Sequence, residues 1–150
     1  KYDIIKNNRF IFLALLIISL FIVVFMNNRR TEKPQLPLRL EEKLYPFFLK
    51  IYEAKGHEDF VNQLQDSWKI KMTSQERFDF LLCVLLCCNL DTGNWLFFCS
   101  HIENDDNSFW KNLQEFKKSK HFTTLKIEYQ KKISKFVSLY EANPKCFNVN

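Results

Sequence analysis

An uncharged apolar run of 17 residues, FIFLALLIISLFIVVFM at positions 10–26, constrains the fold of this chain more than any other feature. At about 1.5 Å per residue, a helix of this length approaches the hydrocarbon thickness of a bilayer, about 30 Å. A cleaved signal peptide has a shorter apolar region that ends in a small-residue cleavage site, whereas Asn27, Asn28, Arg29 and Arg30 follow here, as in a stop-transfer flank. We therefore expect a retained transmembrane helix at 10–26.

Basic residues flank this run on both sides, and the larger group follows it. The positive-inside rule then favours a cytoplasmic position for everything after the run. The five cysteines agree, because three of them lie within six residues of a second apolar run, which suits buried thiols better than a disulfide framework. The chain opens on Lys1 instead of methionine, as we would expect of a fragment or a processed chain.

Two prolines in TEKPQLP, residues 31–37, should end the transmembrane helix, because proline lacks a backbone donor and disfavours helix just before it. The predicted organisation is a short N-terminal tail at 1–9, the transmembrane helix at 10–26, a basic, proline-containing linker at 27–37, a soluble domain at 38–143 and a tail at 144–150.

The soluble domain should be helical, since two glycines and four prolines leave few sites for tight hairpin turns. Apolar residues at three- and four-residue intervals predict helices at 38–54, 57–68, 107–118 and 124–143, and a further one that carries the apolar run 78–90. Pro46 should kink the first helix and Gly56 should cap its end. The expected fold class is all-α, a small helical bundle preceded by one N-terminal transmembrane helix.

The helix that carries the run 78–90 should be the centre of the bundle. A capping-box pattern, Thr73 to Glu76, precedes it, and it is apolar on every face between positions 80 and 88. Asp79 and Asp91 confine it to about 11 residues, too few to cross a membrane. We expect Gly93 to end this helix in a left-handed conformation, and the aromatic residues after it to return to the core on a short helix.

The stretch Gly93-Asn94-Trp95-Leu96-Phe97-Phe98 resembles the Asn-Gly-Gly-Phe-x-Gln-aromatic-aromatic signature of the helical C-terminal domain found in bacterial DNA-mimic proteins and their relatives. The resemblance covers residues 76–101, with Asn94 at the second glycine and Phe97 at the glutamine. It implies an all-helical, non-enzymatic interaction domain of a bacterial protein, sometimes dimeric. Mimicry of DNA does not carry over, because residues 31–150 are nearly neutral and end in a basic segment.

The net charge of +5 is uneven: the segment 31–110 is acidic and the segment 111–150 is basic. No recognised nucleic-acid motif accompanies the basic residues, so we do not expect nucleic-acid binding. The predicted interaction surface combines a lysine stripe with two aromatic residues: Lys117, Lys118, Lys120, Lys126, Lys131, Lys132, Lys135, Trp95 and Phe98. An alternative use of these lysines is contact with anionic lipid headgroups.

A zinc site is a further alternative, because four cysteines and a histidine lie close together in the sequence. The set is Cys83, Cys87, Cys88, Cys99 and His101. The usual Cys-x-x-Cys spacing is absent, and free cysteines commonly behave as small buried hydrophobic residues. We favour the buried-thiol interpretation and expect no bound metal or cofactor.

The polar stretch HIENDDNSF, residues 101–109, has two interpretations. His101, Glu103, Asp105 and Asp106 could form the site of a metal-dependent hydrolase, as acid–base groups or hard oxygen ligands. We favour a simpler role, in which Asp105 and the polar residues after it form a loop that caps the next helix.

These features predict a membrane-anchored, non-enzymatic protein–protein interaction module, either an adaptor or an immunity-type factor of the bacterial inner membrane. The soluble domain should face the cytoplasm and bind another protein. A homodimer, a lipid-binding domain and the hydrolase remain the alternatives.

Overall fold

The computed structural model describes the backbone of residues 2–31, 34–106 and 108–143. Within these ranges all regular structure is helical, which confirms the predicted fold class. The chain divides into two compact units, one up to Gln35 and one from Leu36 onward. The helices are α1 (Tyr2–Thr31), α2 (Tyr45–Tyr52), α3 (Gly56–Trp68), α4 (Ser74–Cys87), α5 (Thr92–Asp106), α6 (Phe109–Lys117), α7 (Lys120–Thr124) and α8 (Ile127–Ala142).

The first unit is dominated by α1, a 30-residue helix that extends the predicted apolar segment at both ends. Its window Asn8–Phe25 has a mean hydropathy of 2.5, and none of that window is buried against the rest of the protein. The polar group of Ser19 is satisfied within the helix, because its hydroxyl donates to the carbonyl oxygen of Leu15 at 2.9 Å. This unit therefore contains a helix long and apolar enough to span a membrane.

The second unit is built around α4, as the sequence predicts. Helix α2 packs against α3 and α4, and α3 packs against α5. On the other side, α4 contacts α8, which packs against α6, and α6 also contacts α7. Helix α4 thus joins the two groups of helices.

The sequence of α4 explains both its start and its central position. The amide of Glu76 donates to the hydroxyl of Thr73 at 3.1 Å, and the amide of Thr73 donates to the carboxylate of Glu76 at 3.4 Å, so the predicted capping box is confirmed. Phe78 and every residue from Phe80 to Leu86 are buried. A helix that is apolar on every face is buried on every face, either in a protein core or in a membrane. In α4 the neighbouring helices provide this burial.

The turn after α4 differs from the prediction. The helix ends at Cys87 with Cys88 in an extended conformation, and Gly93 lies in the first turn of α5, so a left-handed Gly93 cap is wrong. The break is instead an N-terminal cap of the next helix: the side chain of Asp91 accepts a hydrogen bond from the amide of Asn94 at 2.9 Å.

Gly93 lies at a close approach between helices. A Cβ atom at Gly93 would lie 3.3 Å from Nδ1 of His57, on α3. The same ring nitrogen of His57 lies 2.7 Å from Oδ1 of Asn94, and Nδ2 of Asn94 donates to the carbonyl oxygen of Asn89 at 3.3 Å. Asn94 is one of the few buried polar residues among those described, and it links the α4–α5 turn to α3.

Three other predicted boundaries are wrong. The first helix of the second unit begins at Tyr45, with Pro46 in its first turn, where a missing backbone donor costs little, so Pro46 does not kink it. Gly56 has the expected left-handed φ of 85°, but it begins α3 and does not cap α2. The last predicted helix is broken at Leu125, whose side chain turns into the core between α7 and α8.

Candidate interaction surfaces

The lysines of the predicted stripe are distributed over α6, α7 and α8. The stripe members occupy the last turn and C-cap of α6 (Lys117, Lys118), the first residue of α7 (Lys120), the N-cap of α8 (Lys126) and α8 itself (Lys131, Lys132, Lys135). All of them are exposed except Lys117, which is half-buried.

Helix α8 has one buried, apolar face and one exposed face. Ile133 and Val137 are buried against the bundle. On the opposite face, Lys131 and Lys135 are exposed and lie one turn apart, since residues four apart share a helix face. One turn further in each direction, the same line contains Ile127 and Leu139, which are 69% and 46% exposed. The exposed face therefore has two lysines between two uncovered apolar side chains.

Lys132 differs from the other lysines of the stripe because its side chain makes a hydrogen bond to another helix. Its ammonium donates to the carbonyl oxygen of Leu86, in the last turn of α4, at 3.1 Å, and lies 4.0 Å from the carboxylate of Glu128. A cation is favourable at the C-terminal end of a helix, where carbonyl groups lack partners within the helix. Lys132 therefore fixes α8 to α4.

The two aromatic residues of the predicted surface lie elsewhere. Phe98 is fully buried, and its assignment to an interaction surface is wrong, because α5 turns it into the core. Trp95 is half-buried and stacks on Phe136 of α8, with ring centroids 5.2 Å apart and planes 16° apart. It also lies against Trp110, at 6.1 Å, so its main contacts are within the bundle.

The polar stretch around His101 is helical up to Asp106, so the prediction of a capping loop is wrong. The ring of His101 packs edge-on against Trp68, with centroids 4.0 Å apart, and stacks on Phe97 at 5.2 Å. Asn107 and the side chains of Glu103, Asp105 and Asp106 lie outside the described residues. His101 therefore takes part in aromatic packing between α3 and α5.

The described cysteines are free thiols inside the second unit. Burial raises the pKa of Cys83, Cys87 and Cys88, and it raises the pKa of Cys99 to about 12. These thiols are protonated at neutral pH, which suits packing and disfavours nucleophilic attack or metal ligation. Among the side chains that the structure describes, those of residues 8–25, 34–102 and 108–143, no group of three or more His, Cys, Asp and Glu is placed to hold a metal ion. Cys146 lies outside the described residues.

A groove of about 660 Å³ opens between the segment before α2, the start of α4, helix α6 and the α6–α7 turn. Two aromatic rings, Phe78 and Phe116, lie in its wall with centroids 5.9 Å apart. The ionisable side chains along it are Arg39, Asp79, Glu115 and His121. A second cavity of about 270 Å³ shares three lining residues with the groove: Arg39, Gln75 and Asp79.

Asp79 is the half-buried carboxyl group of this groove. Its Oδ1 accepts a hydrogen bond from Nε2 of Gln75 at 2.9 Å. Burial raises the pKa of Asp79, although the Gln75 hydrogen bond and the charge of His121 act in the opposite direction. A carboxylate that has lost water and gained one neutral donor keeps unused capacity to accept hydrogen bonds.

The groove and the apolar ends of the α8 face were both missed by sequence reasoning. The groove side chains come from positions between Leu38 and His121, and no spacing rule joins residues so far apart. Ile127 and Leu139 are ordinary apolar residues in the sequence, and only their exposure distinguishes them.

Over the part of the chain that the structure describes, this is an all-helical protein in which one helix is long and apolar enough to cross a membrane. Comparison of the chain with family models, curated proteins and solved structures finds no match. The resemblance of residues 76–101 to the helical domain of DNA-mimic proteins therefore stays a prediction. Asn94, which stands where that signature has its second glycine, is buried and lies within hydrogen-bonding distance of His57.

Proposed function

We propose that this protein is a membrane-anchored, non-enzymatic module that holds another protein at the bacterial inner membrane, as an adaptor or an immunity-type factor. The observation that carries the proposal is α1, whose apolar window Asn8–Phe25 is uncovered along its whole length. Leaving a Leu, Ile or Phe side chain in water forgoes about 1.5–3 kcal/mol of burial for each, so the window needs an apolar environment.

A bilayer supplies that environment with matching dimensions. The 18-residue window is about 27 Å long as a helix, close to a hydrocarbon core of about 30 Å. A signal sequence near an N-terminus passes the same test of length and hydropathy, but the polar and basic residues Asn27 to Arg30 continue as helix to Thr31 and suit a retained anchor. The excess of basic residues after the window supports a cytoplasmic second unit.

The non-enzymatic part of the proposal is supported by the structural work that candidate catalytic groups already do. Asp91 caps α5, His57 bonds Asn94, and His101 packs between aromatic rings. Glu76 completes the α4 capping box and pairs with Lys43 at 2.9 Å. Each of these contacts positions a helix, which accounts for the residue without a reaction.

The exposed face of α8 is the surface we assign to the protein partner. Its outer line, Ile127, Lys131, Lys135 and Leu139, combines apolar area with positive charge, and buried apolar area surrounded by charge is typical of interfaces. A complementary partner would offer an acidic surface with apolar residues, because opposite charge favours encounter and correct register.

A photo-crosslinking experiment in cells tests this surface. A benzoylphenylalanine at Ser138, which is exposed on the same face, should give one discrete protein adduct. The charge reversals Lys131→Glu and Lys135→Glu should remove that adduct. The pair Lys69→Glu and Lys71→Glu, two exposed lysines between α3 and α4, changes net charge equally and should leave it in place.

The same crosslinker at Asn62, an exposed position on α3, provides the positional control. An adduct of equal yield from Asn62 would contradict the assignment of the α8 face. Loss of the Ser138 adduct in both charge-reversal pairs would contradict it as well, because the effect would then follow net charge alone.

A lipid-surface role is the second candidate, and the exposure of Ile127 and Leu139 at the two ends of the lysine line favours it. Basic residues beside exposed apolar side chains are typical of helices that lie at a bilayer surface, and each lysine near anionic lipid adds about 1 kcal/mol. Amine acetylation of the full chain in vesicles tests it. Anionic phosphatidylglycerol should protect Lys131 and Lys135, but not Lys69, relative to phosphatidylcholine alone; equal protection of all three would contradict this role.

A further inference from the structure

The groove beside α4 has the dimensions and the lining of a small-molecule site. Ligand sites usually enclose about 300–1,000 Å³ and combine an apolar wall with a few converging polar groups. This groove has about 660 Å³, and Phe78 and Phe116 form an apolar wall with their rings tilted 52° to each other. The apolar wall can take the body of a ligand of modest size.

Charged side chains of both signs line the groove, and the charge of His121 acts on Asp79. Among the described residues, Asp79, Glu115 and Arg39 form no ion pair, and the hydrogen bond from Gln75 is the one that Asp79 accepts. Arg39 and Asp79 both border the neighbouring cavity as well, so a positively and a negatively charged residue line both spaces.

The two signs restrict the charge of a ligand. A purely anionic ligand would lie against Asp79 and Glu115, and a purely cationic one would lie against Arg39 and His121. Asp79 is half-buried, so an anion would desolvate a like charge there, and a cation would be repelled by the exposed Arg39; both effects oppose binding. A ligand with one ammonium and one oxyanion can satisfy both sets, since a carboxylate accepts from the guanidinium and an ammonium donates to the carboxylates.

We propose that this groove binds a small zwitterion, an α-amino acid with an apolar side chain. Its side chain lies on Phe78 and Phe116, its ammonium on Asp79 and Glu115, and its carboxylate on Arg39. The aromatic wall favours an amino acid over a phosphoethanolamine headgroup, which carries the same two charges without an apolar body beside them. This site is independent of the partner surface on α8.

Calorimetric titration of the full chain in detergent, with four probes, tests the proposal. L-Phenylalanine carries both charges, phenethylamine only the cation, hydrocinnamate only the anion, and O-phosphoethanolamine both charges without the ring. L-Phenylalanine should bind at least about tenfold more tightly than each of the others, because a single charge-assisted hydrogen bond is worth about that factor.

Two variants separate the roles of the charges. Asp79→Asn should weaken L-phenylalanine about tenfold and leave hydrocinnamate unchanged or tighter. Arg39→Gln should weaken L-phenylalanine to a similar extent and leave phenethylamine unchanged or tighter. Glu58→Gln and Lys71→Gln, exposed charges that do not line the groove, should change none of the four affinities.

The helical circular dichroism of each variant shows whether the second unit is still folded. Equal affinity for the zwitterion and for either single-charge analogue would overturn the proposal, and so would a variant that weakens all four probes alike. Binding of O-phosphoethanolamine in preference to L-phenylalanine would overturn the amino-acid assignment in favour of a headgroup. No heat from L-phenylalanine up to about 10 mM would overturn the site itself.

Discussion

Helices α1 and α4 are both apolar on all sides, yet they occupy opposite environments. The window Asn8–Phe25 of α1 is 0% buried, whereas Phe78 and every residue from Phe80 to Leu86 of α4 are buried. Composition does not separate them. Their bounds do, because α4 has a capping box before its apolar residues and the acidic side chain Asp79 within its first half, while the α1 window has neither. The polar groups that limit the length of an all-apolar helix thus distinguish the buried helix α4 from the uncovered helix α1.

The largest expected effect comes from placing two acidic residues in the middle of α1, which should oppose its insertion into a membrane. The double change Leu16→Asp and Ile17→Asp should cost about 5–7 kcal/mol of membrane insertion, since each central acidic residue costs about 2.5–3.5 kcal/mol. The fraction of protein that remains in membranes after alkaline extraction measures this. Leu16→Ala with Ile17→Ala is the matched control and should stay in the membrane; extraction of both variants to the same degree would break the contrast.

A single truncation in α4 should have the next largest effect, on the second unit. Leu82 is fully buried, so Leu82→Ala should lower the free energy of unfolding by about 2–5 kcal/mol. Urea unfolding of the full chain in detergent, followed by tryptophan fluorescence, measures it because Trp110 is buried in this unit. Leu16→Ala, the same change in α1, should leave that transition in place. Equal shifts from the two variants would show that the helices share one environment.

Removal of the α4 cap should have an intermediate effect. Thr73→Ala deletes the hydroxyl that accepts from the amide of Glu76 at 3.1 Å, and loss of such a cap costs about 0.5–2 kcal/mol. Its neighbour Ser74 is exposed and takes no part in the box, so Ser74→Ala is the control and should shift the urea midpoint much less. Midpoints that move equally would mean that the cap does not define the start of α4.

The smallest expected effect concerns Asp79, which borders the apolar residues of α4. Burial raises the pKa of its carboxyl group in the folded protein. The folded state therefore holds the proton to higher pH than the unfolded chain, and its stability falls as pH rises from about 3.9 to the folded pKa, a cost that persists at pH 7. Asp79→Asn should remove that fall and raise the urea midpoint slightly at pH 7.

Glu76, in the same helix, has a pKa that is lowered, so its effect on stability depends on pH in the opposite direction to that of Asp79. The hydrogen bond with Lys43 is the largest cause that lowers the pKa of Glu76, so its contribution is present above the unfolded pKa and is lost as pH falls through the folded value. Glu76→Gln should therefore lower the midpoint at pH 7 and lose its effect in acid. If both variants shifted the midpoint in the same direction at pH 7, the account of Asp79 would be wrong.

The parts of the fold that were predictable from the sequence depend on local signals. The capping box at Thr73 and the long apolar runs follow from side chains within a few residues of each other, and the structure confirms both. Gly93 misled the prediction because glycine has two uses. A glycine that caps a helix and a glycine at a close contact between two helices look alike in a sequence. The contact at Gly93 involves His57, which lies 36 residues earlier in the chain.

The candidate surfaces were less predictable, since exposure is a property of the packed bundle. Phe98 and Trp95 follow Gly93 in one aromatic cluster, yet α5 buries the first fully and leaves the second partly covered by Phe136. Lys132 belongs to a lysine-rich stretch, yet its ammonium bonds a carbonyl oxygen of α4. Each outcome depends on which helix lies alongside, and periodicity within one helix does not contain that information.

The most direct test of the central claim is the intact mass of the chain recovered from membranes after alkaline carbonate extraction. The account predicts that the full chain, with residues 8–25 still attached, stays with the membrane pellet and that the second unit is exposed to protease on one side only. A shortened chain that begins after the apolar run and leaves with the soluble fraction would contradict it, because α1 would then be a removed signal sequence and not an anchor.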